Sequence, residues 1–327
     1  MRVALTDPIE PAGEAILREA GHETLLPQGS GPEALRALCA GADAVVVRQK
    51  LPDDLLDHAP RLLAAVRHGV GVDMIPVADC TARGVVVANV PGANADAVAE
   101  FVVAQMLAAA RNAQAMHAAL LADGWGAARG RSEAATELRG RTLGIVGVGA
   151  IGTRLAEIAA HGFRMNVLGN RRNPQALPPF VAYAELPRLF AESDYIALTC
   201  PLTPETRGLA SAAMIARMKP GAWLLNVARG PVIEEAALLA ALREGRIGAA
   251  LDVFWQQPLA PDHPLRALPN VLLTPHVAGL TRESVAAMST VACEEVVRIL
   301  RGDRPRNFVN PDCWEASRAR RRALGHL

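Results

Sequence analysis

"RTLGIVGVGAIGTRLAEIAA" (141–160) decides the fold. The run Thr142–Val146 is apolar and reads as a buried strand, and "TRLAEIAA" reads as the helix that follows. Between them, Gly147-Val148-Gly149-Ala150-Ile151-Gly152 spells G-x-G-x-x-G in the strand-to-helix setting that the pattern requires. Gly147 permits the tight turn, Gly149 lets the backbone approach a pyrophosphate, and Gly152 lets helix and strand pack closely. The helix N-terminus then faces the phosphates. A glycine-rich turn can also exist without a ligand, but this context favours a dinucleotide. The next strand, "MNVLGN", ends at Asn170 and is followed by Arg171 and Arg172. NAD binding expects a carboxylate there, to meet the ribose 2′-hydroxyl. Here nothing repels a 2′-phosphate, and two guanidiniums could bind one, so NADP is favoured. If the arginines are solvated loop residues, NAD remains open.

Working outward, the alternation continues through "YIALTC", "AWLLNVA", "GAALDVF" and "NVLLTPH". A similar alternation precedes it. "RVALT" (2–6), "ADAVVVR" (42–48), "LLAAV" (62–66) and "GVVVANV" (84–90) read as strands, with "EPAGEAILREA" (10–20) and "PEALRALCA" (32–40) as helices. Strands alternating with helices imply βαβ units and parallel sheets. Residues 94–121 read as one long apolar helix buried between two bodies. Residues 122–140 read as a glycine-rich connecting loop, 281–302 as the last long helix, and "EASRARRRALGHL" as a frayed basic terminus.

The bulk numbers narrow the class. The 327 residues allow one large or two ordinary domains. With 51% hydrophobic and 20% charged residues the chain reads as globular, and a net charge of +1 gives no electrostatic case for nucleic acid or an anionic membrane. No apolar run reaches membrane-spanning length, and the N-terminus lacks the apolar core of a signal peptide. Cys39, Cys80, Cys200, Cys293 and Cys313 form no close pair, which argues against a metal or disulfide framework and fits a reducing cytoplasm.

Several blocks, in order, resemble the D-isomer-specific 2-hydroxyacid dehydrogenases: "RHGVGVDMI" (67–75), "NVPGANADAVAEFVV" (89–103), "LGIVGVGAIG" (143–152), "PLTPETRGL" (201–209), "LLNVARGPVI" (224–233), "ALDVF" (250–254) and "LLTPHVAG" (272–279). The likeness covers nearly the whole chain. It implies an α/β fold of two doubly wound parallel-sheet domains, a Rossmann cofactor domain (99–288) inserted into a flavodoxin-like substrate domain (1–98 plus 289–327). Two long helices would cross between them, and the ligand cleft would lie between the domains. The chain ends soon after the last long helix, so the feedback domain of longer phosphoglycerate dehydrogenases is not expected. Glyoxylate/hydroxypyruvate reductases are the other close pattern. Family members are usually dimers, through the cofactor domain and the segment near 122–140.

The resemblance also implies roles. Arg229, in "NVARG", would bind the substrate carboxylate and carbonyl. His276, in "TPHVAG", would carry the hydroxyl proton, a task suited to imidazole. Backbone amides of Val70 and Gly71 would hold the carboxylate, with Val70 also near the cofactor. Arg48 and Lys50 follow a strand end, and for each a substrate contact and an exposed surface position are equally open. On the cofactor side the likeness points to Ala150, Ile151, Cys200, Pro201, Val227, Ala228, Arg229, Asp252, His276 and Gly279. Asp252 would accept from the nicotinamide carboxamide.

One position departs from the pattern. Where most members place a glutamate that pairs with the histidine, this chain has Gln257, in "DVFWQQPL". An amide can orient the ring but supplies no negative charge. The formate dehydrogenases, a branch that needs no hydroxyl proton carrier, also use glutamine here. The leading expectation is hydride transfer between NAD(P)H and a small 2-ketoacid. Formate oxidation, and dinucleotide sensing with little turnover, are the alternatives.

Overall fold

The computed structural model describes residues 1–326. Leu327, the last residue of the expected substrate domain, lies outside the described residues. Two compact units emerge, residues 1–94 with Leu280 onward, and Ala95–Gly279. The joints at 94/95 and 279/280 come earlier in the chain than the expected 98/99 and 288/289. The physical reason is that helices Ala95–Arg111 and Arg282–Leu300 start just past the joints, and each stays whole within one unit.

The first unit is built from β1 (Arg2–Leu5), α1 (Pro11–Glu19), β2 (Glu23–Leu25), α2 (Pro32–Cys39), β3 (Ala44–Val47), α3 (Leu55–His58), β4 (Ala64–Arg67), α4 (Val77–Ala82) and β5 (Val86–Ala88). Its sheet order is β2-β1-β3-β4-β5, with every pair parallel. This is the flavodoxin-like order. β3 and β5 are buried at every position, because both faces of the sheet are covered. Val3, Val46 and Val66 pack with Met288, Ala292 and Val296 of the helix Arg282–Leu300. Val45, Val47 and Val87 pack with Leu35, Leu38 and Leu55 in a second cluster.

The C-terminal segment is ordered, against the expectation of a frayed end. Trp314–Ala323 forms a helix. Arg321 is buried and donates to the carbonyls of Ile299 (3.0 Å) and Leu300 (2.9 Å), at the C-terminal end of the preceding long helix. Arg320 donates to the carbonyls of Leu62 (2.8 Å) and Pro60 (2.7 Å). These arginines close backbone groups and are not a solvated charge run.

The second unit holds α5 (Ala95–Arg111), α6 (Ala113–Ala122), α7 (Trp125–Gly130), β6 (Thr142–Val146), α8 (Ala150–Glu157), β7 (Asn166–Asn170), β8 (Ala182–Tyr183), α9 (Leu186–Glu192), β9 (Tyr195–Leu198), α10 (Ala212–Arg217), β10 (Trp223–Asn226), α11 (Glu235–Arg243), β11 (Gly248–Leu251) and β12 (Val271–Leu273). The sheet order is β12-β11-β10-β9-β6-β7-β8, again all parallel. It is the Rossmann order with one strand added beyond β11, and it reverses between β6 and β9. Ligands of open parallel sheets bind at the carboxyl ends of the strands beside such a reversal.

Two readings are corrected here. The expected helix over 94–121 breaks at Asn112, whose left-handed φ of 52° interrupts the helical bonding. Only its first half is well buried, since Leu120 and Leu121 on α6 are 44% and 75% exposed. The expected loop 122–140 contains α7 and a 3-10 turn, Arg131–Ala134.

His68, just past β4, ties the first unit together. Its Nε2 lies 2.8 Å from the hydroxyl of Ser289, which also accepts from the backbone N–H of Glu10 at 3.1 Å. Burial, with Arg48 and Arg67 adding to it, pushes the imidazole down to about 4. The folded protein therefore holds the ring neutral, while the unfolded chain takes up a proton below its ordinary 6.5. Stability from this group is fully present above pH 6.5 and is lost as pH falls toward 4. Denaturant unfolding at pH 7 and pH 4.5 should show His68→Gln losing about 2 kcal/mol less than the wild type over that interval. Equal losses in the two proteins would show that His68 is not the acid-sensitive group.

Candidate active site

The residues of the second unit expected to bind or react sit at the carboxyl ends of β6, β7, β9, β10, β11 and β12, in a strand's last residue, the loop after it or the first turn of the following helix. At Gly147, with φ of 96°, an added Cβ would lie 2.6 Å from the backbone of Cys200, so the loops after β6 and β9 touch there. At Gly152 a Cβ would lie 2.8 Å from the carbonyl of Gly147. Gly149 differs, because a Cβ there would meet nothing within 4 Å. The protein's own packing requires the outer two glycines, and the middle one leaves open space. The backbone N–H groups of Ala150, Ile151 and Gly152, at the start of α8, have no acceptor among the described residues. Open space over unsatisfied helix-end amides fits a pyrophosphate.

The remaining cofactor residues surround this turn. Asn170 receives the N–H of Gly147 on its carbonyl (2.9 Å), and its side-chain amide donates to Ala184 (3.0 Å). Arg171 donates to the carbonyl of Ala176 (2.8 Å). Arg172 is 85% exposed and lies 3.8 Å from Glu205. Pro201 is exposed and accepts on its carbonyl from the Thr206 hydroxyl (2.7 Å). Cys200 is buried, and burial pushes its thiol up to about 11, so it is a packing group.

Arg229 leaves β10 through a buried Asn226. The Asn226 amide donates to the carbonyl of Arg229 (2.9 Å), and its oxygen accepts from the N–H of Ala228 (3.0 Å). Val227 is half-buried and Ala228 buried on the same turn. The Arg229 guanidinium donates to the carbonyl of Ala228 (2.7 Å). Gly230 follows, and a Cβ there would collide with the backbone of Phe254 and Trp255.

Asp252 ends β11, 2% exposed. Its carboxylate accepts from the Thr274 hydroxyl (2.7 Å) and from the N–H groups of Val277 (2.9 Å) and Ala278 (2.9 Å). It thereby holds the turn Val277–Ala278–Gly279 that follows His276. His276 itself has a left-handed φ of 58°. Its Nδ1 lies 3.1 Å from Oε1 of Gln257. The amide oxygen can only accept, so Nδ1 carries a hydrogen, and in the neutral ring Nε2 is the nitrogen with the lone pair. Gln257 is thus both an exposed loop residue and the partner of His276.

In the first unit, the loop Gly69-Val70-Gly71 follows His68. Its three carbonyls are tied inward, Gly69 by the N–H of Val90 (2.8 Å), Val70 by the Asn89 side chain (2.7 Å) and Gly71 by Nε of Arg67 (3.0 Å). The N–H groups of Val70 and Gly71 have no acceptor among the described residues. Arg48 is half-buried; its backbone N–H donates to Thr6 Oγ1 (2.8 Å) and its guanidinium donates to the carbonyl of Pro8. Lys50 is exposed and 3.7 Å from Asp53.

Comparison with known proteins agrees with this geometry. Residues 103–278 match the D-isomer specific 2-hydroxyacid dehydrogenase, NAD binding domain. A glyoxylate reductase from Aeropyrum pernix is 40% identical over 88% of this chain and 86% of its own length. A D-3-phosphoglycerate dehydrogenase from Methanocaldococcus jannaschii is 38% identical over 95% of this chain, which spans 59% of that relative. The chain belongs to the D-isomer-specific 2-hydroxyacid dehydrogenase family. Among solved structures, an NADPH-dependent glyoxylate/hydroxypyruvate reductase from Sinorhizobium meliloti, in complex with NADP and malonate, has a TM-score of 0.82 at 29% identity, covering 95% of this chain and 97% of that one. The matched region lies wholly in the second unit, which is therefore the NAD(P)-binding domain of this dehydrogenase.

Sequence reasoning missed several positioning groups in this dehydrogenase. Trp255 donates from its indole to Ile233 (2.8 Å), and His263 meets Glu235 at 2.8 Å. Both fasten the Gln257 loop to the segment after Arg229, and only the "ARG" block hinted at a close approach. Asp252 was read as a cofactor contact alone, yet its carboxylate is bonded to the His276 turn. Asp252→Asn would turn an NH₂ group toward a backbone N–H that needs an acceptor. The variant should lose about 2 kcal/mol of stability, the scale of a hydrogen bond to a charged group. Denaturant midpoints measure it, and unchanged midpoints would contradict the anchoring role.

Proposed function

We propose that this chain reduces a small 2-ketoacid, such as glyoxylate or hydroxypyruvate, to the 2-hydroxyacid, with NADPH favoured over NADH. The observation that carries the reading is the joint placement of Arg229 and the His276–Gln257 pair at the carboxyl ends of β10 and β12, with the buried Asp252 just past β11 anchoring the turn after His276. The nicotinamide supplies the hydride. Arg229 offers a planar fork to the carboxylate and adjacent carbonyl oxygen. His276, protonated, gives the Nε2 proton to the forming alkoxide, and in the reverse direction neutral Nε2 receives it. Val70 and Gly71 offer amides to the carboxylate, and Arg48 and Lys50 add positive charge on the same unit. Arg171 and Arg172 support NADP through the 2′-phosphate.

Fluorescence titration with NADPH and NADH, followed by a panel of 2-ketoacids, tests this. Turnover of ketoacids with tighter NADPH binding is expected. Gln257 favours one second reading, oxidation of formate, and activity on formate with none on ketoacids would replace the first. Binding without turnover would leave a dinucleotide sensor.

Gln257 also makes a pH prediction. Reduction needs the imidazolium, so the rate falls as pH rises through the His276 titration. A carboxylate at 257 favours the charged ring, so Gln257→Glu should move that falling limb to higher pH. A profile for ketoacid reduction identical to the wild type would sink the pairing as a functional one.

We further propose a cytoplasmic homodimer, in line with five buried free cysteines and the apolar surface of α6 and α7, where Leu121 and Trp125 are 75% and 72% exposed. Light scattering should give twice the chain mass for the wild type, and the mass of one chain for a Leu121→Asp, Trp125→Glu double variant. A monomeric wild type would refute it.

A further inference from the structure

The loop Gly69–Gly71 is held by the first side chain of the block "RHGVGVDMI". Arg67, the last residue of β4, folds back under the loop. Its Nη1 donates to the carbonyls of Val47 (2.8 Å) and His68 (2.6 Å), and its Nε donates to that of Gly71 (3.0 Å). Gly69 has φ of 140°, and a Cβ there would sit 3.4 Å from the guanidinium carbon. The glycine thus serves both the backbone angle and the close approach of the arginine. A peptide plane whose carbonyl is pulled inward turns the following N–H outward. With the carbonyls of Gly69, Val70 and Gly71 all bonded inside the unit, the amides of Val70 and Gly71 are left to meet an anion.

We infer that Arg67 is a positioning residue for anion recognition. It does not hold the substrate itself but clamps the two ends of the loop, at the carbonyls of His68 and Gly71, while the N–H of Val90 and the Asn89 side chain hold the carbonyls of Gly69 and Val70, whose peptide planes offer the N–H groups of Val70 and Gly71 to the substrate carboxylate. The inference rests on the ketoacid reading above. A planar fork is needed, because one guanidinium serves three carbonyls, one at the end of β3 and two in the segment after β4, in a fixed geometry. A lysine has a single nitrogen and cannot reach both Val47 and Gly71 in the same way. Release of the loop would cost carboxylate binding before it cost proton or hydride transfer, since His276 and the cofactor turn lie on the other unit.

The test uses the full chain with glyoxylate as substrate and oxamate, a non-reducible carboxylate analogue, as a binding probe in the presence of NADPH. Wild-type turnover of glyoxylate is established first, and its absence would count against the ketoacid reading alone. Oxamate binding then still reports on the loop. Arg67→Lys should raise the KM for glyoxylate and the oxamate Kd together by roughly tenfold or more, with kcat falling by less than about threefold. NADPH affinity should stay at the wild-type value, which also reports that the second unit is folded. Asn89→Ala, which removes one carbonyl tie, should shift KM and oxamate Kd in the same direction by a smaller factor. It carries the test if Arg67→Lys fails to fold. Unchanged KM and oxamate Kd in a variant that folds and binds NADPH would overturn the proposal. A large loss of kcat at unchanged KM would also overturn it, by giving Arg67 a part in the chemistry.

Discussion

Gly230 has no side chain, and the backbone of Phe254 and Trp255 occupies the space where one would be. That contact joins the loops after neighbouring parallel strands β10 and β11. Arg229 and the Gln257 loop both hang on it. Arg229 immediately precedes the glycine, and Gln257 follows the Phe254–Trp255 pair. The Trp255 indole bond to Ile233 and the His263–Glu235 contact repeat the same connection further out. A parallel sheet brings strand ends to one edge, but it leaves the loops several ångströms apart. Backbone contact at a glycine and a few long polar side chains close that gap.

His276 depends on a different anchor. A left-handed backbone at a residue with a Cβ is strained, and such strain persists only where surrounding bonds over-determine it. Asp252 provides them by holding the next two amides and the Thr274 hydroxyl on the preceding side. Gln257 then fixes the ring by accepting from Nδ1. The division of labour explains how an amide can replace a carboxylate there. Orientation comes from geometry that either group satisfies. The proton affinity of Nε2 comes from charge, which only the carboxylate would supply.

Both sheets, and the edge at which the site forms, were legible in the sequence. Glycine turns and continuous apolar strands are local signals, so "GIVGVGAIG" specifies its own turn and the cofactor end of the second sheet. Edge strands β2 and β8, of three and two residues, are too short to show a pattern. The helix in 122–140 lies in a glycine-rich stretch whose composition reads as loop. The larger omissions are long-range. Ser289 meets His68 across 221 positions, and Arg321 finds the end of a helix more than twenty residues earlier. Arg67 lies within "RHGVGVDMI", yet nothing local tells an arginine that binds a ligand from one that binds three carbonyls.

Arg67 and the α8 N-terminus express the same physical rule in separate units. In each, carbonyls are bonded inward and peptide N–H groups face out. A backbone amide recognises negative charge without regard to what the anion carries further along. Under the proposed function, a substrate carboxylate and a pyrophosphate are thus both met by loop geometry, which glycine spacing encodes. The choice between NADP and NAD falls instead to side chains at the end of β7. Arg171 is partly held by its bond to Ala176, while Arg172 extends into solvent with Glu205 at 3.8 Å. Exposed ion pairs of this kind are weak, so a 2′-phosphate with two negative charges can displace the carboxylate and take the guanidinium. Under the proposed function, Glu205 therefore competes with a 2′-phosphate for Arg172 at that exposed contact.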